Sequence, residues 1–222
     1  MSKETEKLGL GDQEGLFREL RIGNRSSFEG DDRPVENVNW VDAQYFFTCL
    51  NNVLPEVFAV LPSEAQWEYA CRAGTTSSFF FGDDIIIDQV NYSGSSSLYA
   101  GEENVSCREE TVEVKTLPCN QWGLYQMHGN VCEWCRDWCD DYPNEAVIDP
   151  VCEEFYPDAV FALRGGAWMF PARGCRSAQR YAHEPAIRYD WLGFRIALCR
   201  TSRAGEKVYR AQQVIKHDIL GY

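Results

Sequence analysis

The chain has 222 residues, 45% hydrophobic and 14% aromatic, and this composition is sufficient for a domain with a single core. Its formal net charge of -13 argues against binding to nucleic acid or to anionic membrane surfaces, because both are negatively charged. No run of about 18 apolar residues occurs, so no membrane-spanning helix is predicted. The opening MSKETEK lacks the apolar core of a signal peptide, and we expect a cytoplasmic protein unless an export segment has been removed.

Two helices are predicted in the first third of the chain. Asn39 is a suitable N-cap for a helix over about 41–52, in which apolar residues recur on one face. A second helix follows Ser63, which forms a capping-box pattern with Gln66 three residues later. Gly74 is the residue expected to end this helix.

The helical periodicity disappears after the second helix. Residues 83–120 are rich in Ser, Gly, Asp and Glu and predict a long segment without regular structure, of the kind that often carries function. Shorter apolar runs predict strands within 121–139, 160–170 and 191–200. Two helices followed by irregular chain and short strands indicate an α+β fold.

The chain contains ten cysteines. In a chain of this length without a signal segment, most of them are expected to be reduced and buried, as small hydrophobic residues. Cys132, Cys135 and Cys139 follow His128 closely, which raises the alternative of a zinc site, although a second CxxC pair is absent. The surrounding NVCEWCRDWC alternates large apolar and polar residues as a strand does, which favours the structural interpretation.

Tryptophan and arginine residues are expected to shape the core. Buried tryptophans need a partner for the indole N–H, and the candidates are Trp40, Trp67, Trp122, Trp134, Trp138 and Trp168. Arginines near a core are normally tied to carboxylates or carbonyls. The arginines concerned are Arg176, Arg180 and Arg195, and the candidate carboxylate partners are Glu64, Glu68 and Glu133.

Seven phrases in a fixed order resemble the formylglycine-generating enzyme (sulfatase-modifying factor) family. They are PVENVNWVDAQYF, LPSEAQWEYACRAGT, FGDD, WGLYQMHGNVCEW, LRGGAW, CRSAQR and LGFRIAL. The resemblance covers residues 33–198 and implies a C-type-lectin-like fold with short antiparallel strands and much irregular structure. It divides the chain into an irregular lead-in (1–32), one domain (33–200) and a C-terminal tail (201–222).

Catalytic members of this family oxidise a substrate cysteine to formylglycine. These catalytic members share two cysteines, about five residues apart, that hold copper(I), a metal that prefers soft thiolates. Here Phe170 takes the first of these positions and Cys175 the second, so the pair is incomplete. We therefore expect no copper and no formylglycine generation. The other catalytic arrangement that the sequence offers is a pair of Cys175 with His183.

The resemblance also implies a calcium site at the phrase HGNVCEW. Gly129 and Val131 would supply backbone carbonyls, and Asn130 and Glu133 would supply side-chain oxygens, which are hard donors that suit Ca²⁺. The competing interpretation is that Glu133 pairs with an arginine and Asn130 shapes a turn.

The segment between LRGGAW and LGFRIAL is the candidate binding surface. In this fold family it forms a shallow surface, and its Tyr, Trp, Phe, Met and His content is typical of a protein-binding hot spot. We expect Tyr181, His183, Tyr189 and Trp191 to form one exposed patch. The candidate ligand-binding residues are Trp168, Met169, Phe170, Gly174, Gln179, Tyr181, Ala182, His183, Ala186, Ile187, Tyr189, Asp190 and Trp191.

Variable proteins of diversity-generating retroelements resemble formylglycine-generating enzymes without the copper cysteines. Adenine-specific mutagenesis rewrites this same segment in them, changing Asn codons into many others. The residues here that are reachable from an Asn codon are Phe170, Gly174, Tyr181, Ala182, His183, Ala186, Ile187, Tyr189 and Asp190. The resemblance implies a non-catalytic module that binds a protein ligand and is diversified by a retroelement. The alternatives are a fixed accessory domain of a signalling or proteolytic system and, third, a copper-dependent oxidase.

Overall fold

The computed structural model describes residues 25–54, 57–94, 107–142, 144–152 and 159–200. Most of the predicted lead-in and the whole predicted tail lie outside these ranges. The described residues form two helices, α1 (Trp40–Val53) and α2 (Glu64–Arg72). No helix in these ranges is long and apolar enough to cross a membrane. The strands are β1 (Val57–Val60), β2 (Cys132–Trp138), β3 (Phe161–Arg164), β4 (Tyr181–His183), β5 (Leu192–Phe194) and β6 (Ala197–Arg200).

Both helices begin where the sequence predicts. The Asn39 side chain accepts a hydrogen bond from the backbone N–H of Asp42 at 2.8 Å, and the Asp42 carboxylate accepts one from the Asn39 N–H at 3.0 Å. Ser63 and Gln66 form the same reciprocal pair at the start of α2. That helix ends at Arg72, and its C-cap is Ala73, which is left-handed with φ of 46° and lies one residue before the predicted Gly74.

The strands form two sheets. The larger has the order β4-β3-β2-β5, and β1 pairs with β6 in a separate two-stranded sheet. The expectation of antiparallel strands is wrong for one pair, because β5 runs parallel to β2. A parallel neighbour requires a long crossover rather than a hairpin, and more than fifty residues separate β2 from β5.

The predicted strands are longer than the observed ones. Within 121–139, the strand occupies only Cys132–Trp138, since the preceding residues include four with positive φ that interrupt an extended chain: Gly123, Gln126, Gly129 and Asn130. The strand expected within 160–170 stops at Arg164, since Gly165 and Gly166 have φ of 95° and 70°. The run 191–200 contains two strands that belong to different sheets. The short strands β1 and β4 were not predicted.

The larger sheet is packed on both faces. On one face, Trp134, Phe161 and Leu163 form a core with Trp40 and other residues of α1. On the other face, Trp67 of α2 packs with a second cluster that contains Met127, Cys135 and Ala162. Alternation of side chains along each strand sends neighbouring residues to opposite faces.

The buried tryptophans have the expected hydrogen-bond partners. The indole N–H of Trp40 donates to the Cys135 carbonyl at 3.1 Å, and that of Trp134 donates to the Val38 carbonyl at 3.0 Å. The prediction is wrong for Trp122, which is 47% exposed and meets the ring of Tyr69 at 4.9 Å. Trp122 lies in the turn-rich stretch before β2, where the contact with Tyr69 of α2 leaves nearly half of it in solvent.

All ten cysteines lie in the described ranges and none of them forms a disulfide there, but the expectation that most are buried is wrong. Four are buried, namely Cys71, Cys132, Cys135 and Cys175. The other six are partly exposed, because most of them lie in loops or near the ends of elements. Cys132 and Cys135 belong to the cores on opposite faces of the sheet, so they do not converge on one ion. Within the described ranges, no group of three His, Cys, Asp or Glu side chains is placed to hold a metal.

Candidate functional site

Five aromatic side chains of the candidate surface form one continuous group, named here the aromatic cluster: Tyr181, Phe170, Trp191, Tyr189 and His183. The Phe170 ring lies 5.0 Å from Tyr181 and 5.0 Å from Trp191. Trp191 stacks on Tyr189 at 4.6 Å with an interplanar angle of 10°, and Tyr189 lies 5.5 Å from His183. The four residues expected to form one patch are therefore joined in one cluster, through Phe170.

The cluster is less exposed than the sequence predicts. Tyr189 is 38% exposed, whereas the other four members are half-buried, and three of these four, Phe170, Tyr181 and Trp191, pack against the core. Of the remaining candidate residues, Met169, Ala182 and Ala186 are exposed and Gly174 is buried. Trp168, Gln179, Ile187 and Asp190 are half-buried. The structure thus joins the five aromatic candidates in one cluster that lies partly in the core and partly in solvent, whereas Gly174 is buried and Ala182 points to the opposite face of the sheet.

The backbone of this surface is anchored to the start of α1 and to the segment before it. The N–H of Asn37 donates to the Tyr189 carbonyl at 3.0 Å, and that of Trp40 donates to the Pro185 carbonyl at 3.1 Å. The Asn39 side chain, which caps α1, also donates to the carbonyl of Ala186. Further N–H groups reach the carbonyls of Trp191 and Phe170, from Cys132 and Ser93.

The position of Cys175 does not support a copper or nucleophile site. Its side chain is fully buried, and burial raises the pKa of the thiol, so it stays protonated. A Cβ at Gly166 would lie only 2.7 Å from the Cys175 Sγ, which shows how closely the thiol is covered. The predicted pair with His183 is absent, because the ring of His183 faces Tyr189 in the aromatic cluster.

His128, rather than His183, contacts the Cys175 residue. Its Nδ1 lies 2.7 Å from the Cys175 carbonyl oxygen, and its Nε2 accepts a hydrogen bond from the Phe80 N–H at 3.2 Å. These contacts assign the proton to Nδ1. Burial lowers the pKa of His128 to about 4, so the ring is neutral at pH 7. His128 is therefore a structural hydrogen-bond bridge in the core.

The residues of the implied calcium site are engaged with other parts of the chain. Glu133 accepts hydrogen bonds from the Trp67 indole at 2.6 Å and from the Arg195 guanidinium at 2.8 Å. The Asn130 side-chain oxygen accepts from the Val112 N–H at 2.8 Å. These contacts match the competing interpretation of an ion pair and a turn. The arrangement does not fit a calcium ion, which needs free oxygen ligands.

The arginine prediction is confirmed for all three residues, and in two of them the partner is one of the candidate carboxylates. Arg180 binds both oxygens of Glu64, at 2.6 and 2.7 Å, and Arg195 binds Glu133. Arg176 instead donates to a backbone carbonyl and to a glutamine side chain. Glu68 pairs with the fully buried Arg164 and with Arg72 of the same helix.

A concave feature beside α2 was not predicted from the sequence. This notch has a volume of about 350 Å³ and is lined by Glu64, Ala65, Glu68, Tyr69, Tyr142 and Ala178. Tyr69 is 69% exposed and Tyr142 is 61% exposed, and the Arg180 guanidinium lies 4.1 Å from the centre of the Tyr142 ring. Three segments that are distant in sequence supply these residues, so no local sequence pattern predicts the notch.

The family model of the sulfatase-modifying factor enzyme 1-like domain matches residues 12–199. Serine/threonine-protein kinase Pkn1 of Chlamydia trachomatis is 30% identical over 167 residues, which are 74% of this chain and 24% of the kinase. The formylglycine-generating enzyme of Bos taurus is 32% identical over 176 residues, 75% of this chain and 44% of the enzyme. The chain thus spans less than half of the length of either relative.

Two solved structures share this architecture. Treponema denticola variable protein 1 superposes with a TM-score of 0.67 and 26% identity, over 84% of this chain and 81% of that one. PvdO from Pseudomonas aeruginosa superposes with a TM-score of 0.66 and 29% identity, over 78% and 64% of the two chains. With its α+β, C-type-lectin-like fold, the chain belongs to the family of sulfatase-modifying factor enzyme 1-like domains.

Proposed function

We propose that this chain is a non-catalytic module that binds a protein ligand through the aromatic cluster and the exposed side chains beside it. The observation that carries the proposal is the cluster itself, in which half-buried rings reach solvent side by side. Tyr and Trp provide large contact areas at a low cost in conformational entropy. The exposed Met169 adds an adaptable apolar side chain at the same surface.

The anchored backbone supports the proposal because the loop needs little rearrangement to bind a ligand. Because the carbonyls of Pro185, Ala186 and Tyr189 are held by the start of α1, the loop between β4 and β5 is already ordered before a ligand arrives. Arg188 adds an ion pair with Asp42 at 2.8 Å. Preorganisation of this kind lowers the entropic cost of association.

The absence of catalysis is part of the proposal and rests on the surroundings of Cys175. A copper(I) site of the family type needs two accessible thiolates. Here the second position is a buried thiol, and the first is Phe170, whose ring belongs to the aromatic cluster. Incubation with copper(I), oxygen, excess thiol reductant and a cysteine-containing sulfatase peptide should give no product with the mass of the aldehyde.

Diversification by a retroelement is a further part of the proposal, supported by the likeness to Treponema denticola variable protein 1. Sequencing the gene in many cells of one population should show substitutions concentrated at the adenine-accessible codons between 168 and 191, and an unchanged helix α1. The other candidate is a fixed accessory domain, which the likeness to part of the much longer Pkn1 kinase favours. In that case, the same sequencing finds one invariant segment.

The binding proposal is tested with a phage library that displays folded protein fragments encoded by the genome of the same organism and of its neighbours. Fragments enriched on the chain should lose affinity for a Met169→Ala, Tyr189→Ala double variant. The matched control is Tyr45→Ala, which removes a 46% exposed aromatic ring from α1, outside the cluster. Binding that is equal for all three proteins would contradict the proposal.

A further inference from the structure

Strand β4 lies at an edge of the larger sheet, next to the aromatic cluster. Its backbone pairs with β3 through Tyr181, Ala182 and His183. Among the described residues, no backbone hydrogen bond joins β4 to any element on its other side. An edge strand of this kind presents unpaired N–H and C=O groups that pair readily with another extended chain.

The side chains of β4 point to both faces of the sheet. Tyr181 and His183 point to the face of the aromatic cluster, where they contact Phe170 and Tyr189. Ala182 pairs with Ala162, which packs with α2 on the opposite face. The side chain of Ala182 is small and exposed, so it leaves room for a side chain of an added strand on the α2 side.

The notch lies close to the start of β4, because Arg180, the residue before β4, binds Glu64 and lies 4.1 Å from the ring centre of Tyr142. Glu64 and Glu68 in the notch are held by Arg180 and Arg164, so the charges of these carboxylates are already compensated. The remaining lining is aromatic and small apolar, from Tyr69, Tyr142 and two alanines. Such a lining suits an apolar or aromatic side chain better than a free cation.

We propose that an extended peptide segment of the protein ligand adds to β4 as a fifth strand, with alternate side chains on the aromatic cluster and in the notch. This inference rests on the proposed function and names its binding mode. Successive side chains of a strand point in opposite directions, so one segment reaches both features. The segment has large apolar side chains on both faces, and it is not acidic, because the chain itself carries a net charge of -13.

The probe is an mRNA-displayed library of random linear twelve-residue peptides, selected on the full chain. Enriched peptides should share apolar residues at alternating positions. In the best binder, N-methylation of single amides should weaken binding about tenfold at every second position of the paired stretch, because only those N–H groups face β4. No enrichment, or a uniform response to N-methylation, would overturn the fifth-strand mode.

Two variants locate the binding site of the peptide. Ala182→Lys places a charged side chain on the edge, and Tyr69→Ala removes one wall of the notch. Both should abolish peptide binding, and Tyr45→Ala should not. If peptide binding survives both changes, the inference is wrong. Failure of the peptide arm together with fragment binding that depends on Met169 and Tyr189 would leave the proposed function intact and overturn only the strand addition.

Discussion

Replacing Glu133 by glutamine tests whether an ion pair or a metal ion stabilises the centre of the larger sheet. Glu133 is 5% exposed and accepts hydrogen bonds from both Trp67 and Arg195. Glutamine has nearly the same size and keeps an oxygen for the indole N–H. It removes the counter-charge of Arg195, whose side chain is only 23% exposed.

The expected loss of stability follows from this geometry. Removing one partner of a buried ion pair costs about 3–5 kcal/mol, because the other charge is left without compensation. Since Arg195 retains some contact with solvent, we expect the lower end, about 3 kcal/mol. For a domain of this size, that corresponds to a decrease in Tm of about 6–12 °C.

Urea denaturation of the wild type and Glu133→Gln at pH 7.5 measures the change. The control is Arg188→Gln, which breaks a more exposed ion pair with Asp42 and should cost about 1 kcal/mol or less. The wild type and Glu133→Gln are also measured with excess EDTA and with millimolar calcium. Calcium that raises the free energy of unfolding of the wild type but not of Glu133→Gln would refute the ion-pair reasoning and support the calcium site.

Three other predictions concern the core. Because the pKa of His128 is about 4 in the fold and near 6.5 when unfolded, its contribution to stability is complete above pH 6.5 and decreases by about 3 kcal/mol as the pH falls to 4. The buried Glu36 and Asp137 act in the opposite direction since burial raises their pKa, so the measurement is the difference between the pH profiles of the wild type and His128→Gln. Gly166→Ala should cost about 2–4 kcal/mol in urea denaturation, because φ is 70° and the new Cβ would lie 2.6 Å from the Gly174 carbonyl oxygen. Gly123→Ala has similar φ and nothing within 4 Å, and a loss equal to that of Gly166→Ala would show that the close contact is unimportant. Thiol labelling should modify at most six of the ten cysteines in the native state and all ten after unfolding; native labelling of the remaining four would contradict their burial, and these are Cys71, Cys132, Cys135 and Cys175.

Features that depend on local chemistry could be predicted from the sequence. The caps at Asn39 and Ser63 need only a polar side chain and the next three residues, and both are observed. The partners of Arg180 and Arg195 could be anticipated because a charge near a core requires an opposite charge.

Features that depend on the meeting of distant segments could not be predicted. The density of aromatic residues indicated a surface between 168 and 191, but the depth to which each ring sinks depends on packing against α1 and the core. Likewise, the fate of Trp122 and the existence of the notch depend on which neighbours the fold supplies. The parallel course of β5 depends on a long crossover that no short pattern encodes.

The anchoring of the candidate surface has a consequence for its evolution. The bonds that position Pro185, Ala186 and Tyr189 are accepted by backbone carbonyls, which every amino acid possesses. The donors lie outside the surface, on Asn37, Asn39 and Trp40. Substituting the side chains of the exposed positions therefore leaves this set of bonds in place. The surface can change what it recognises while the backbone that carries it keeps its conformation.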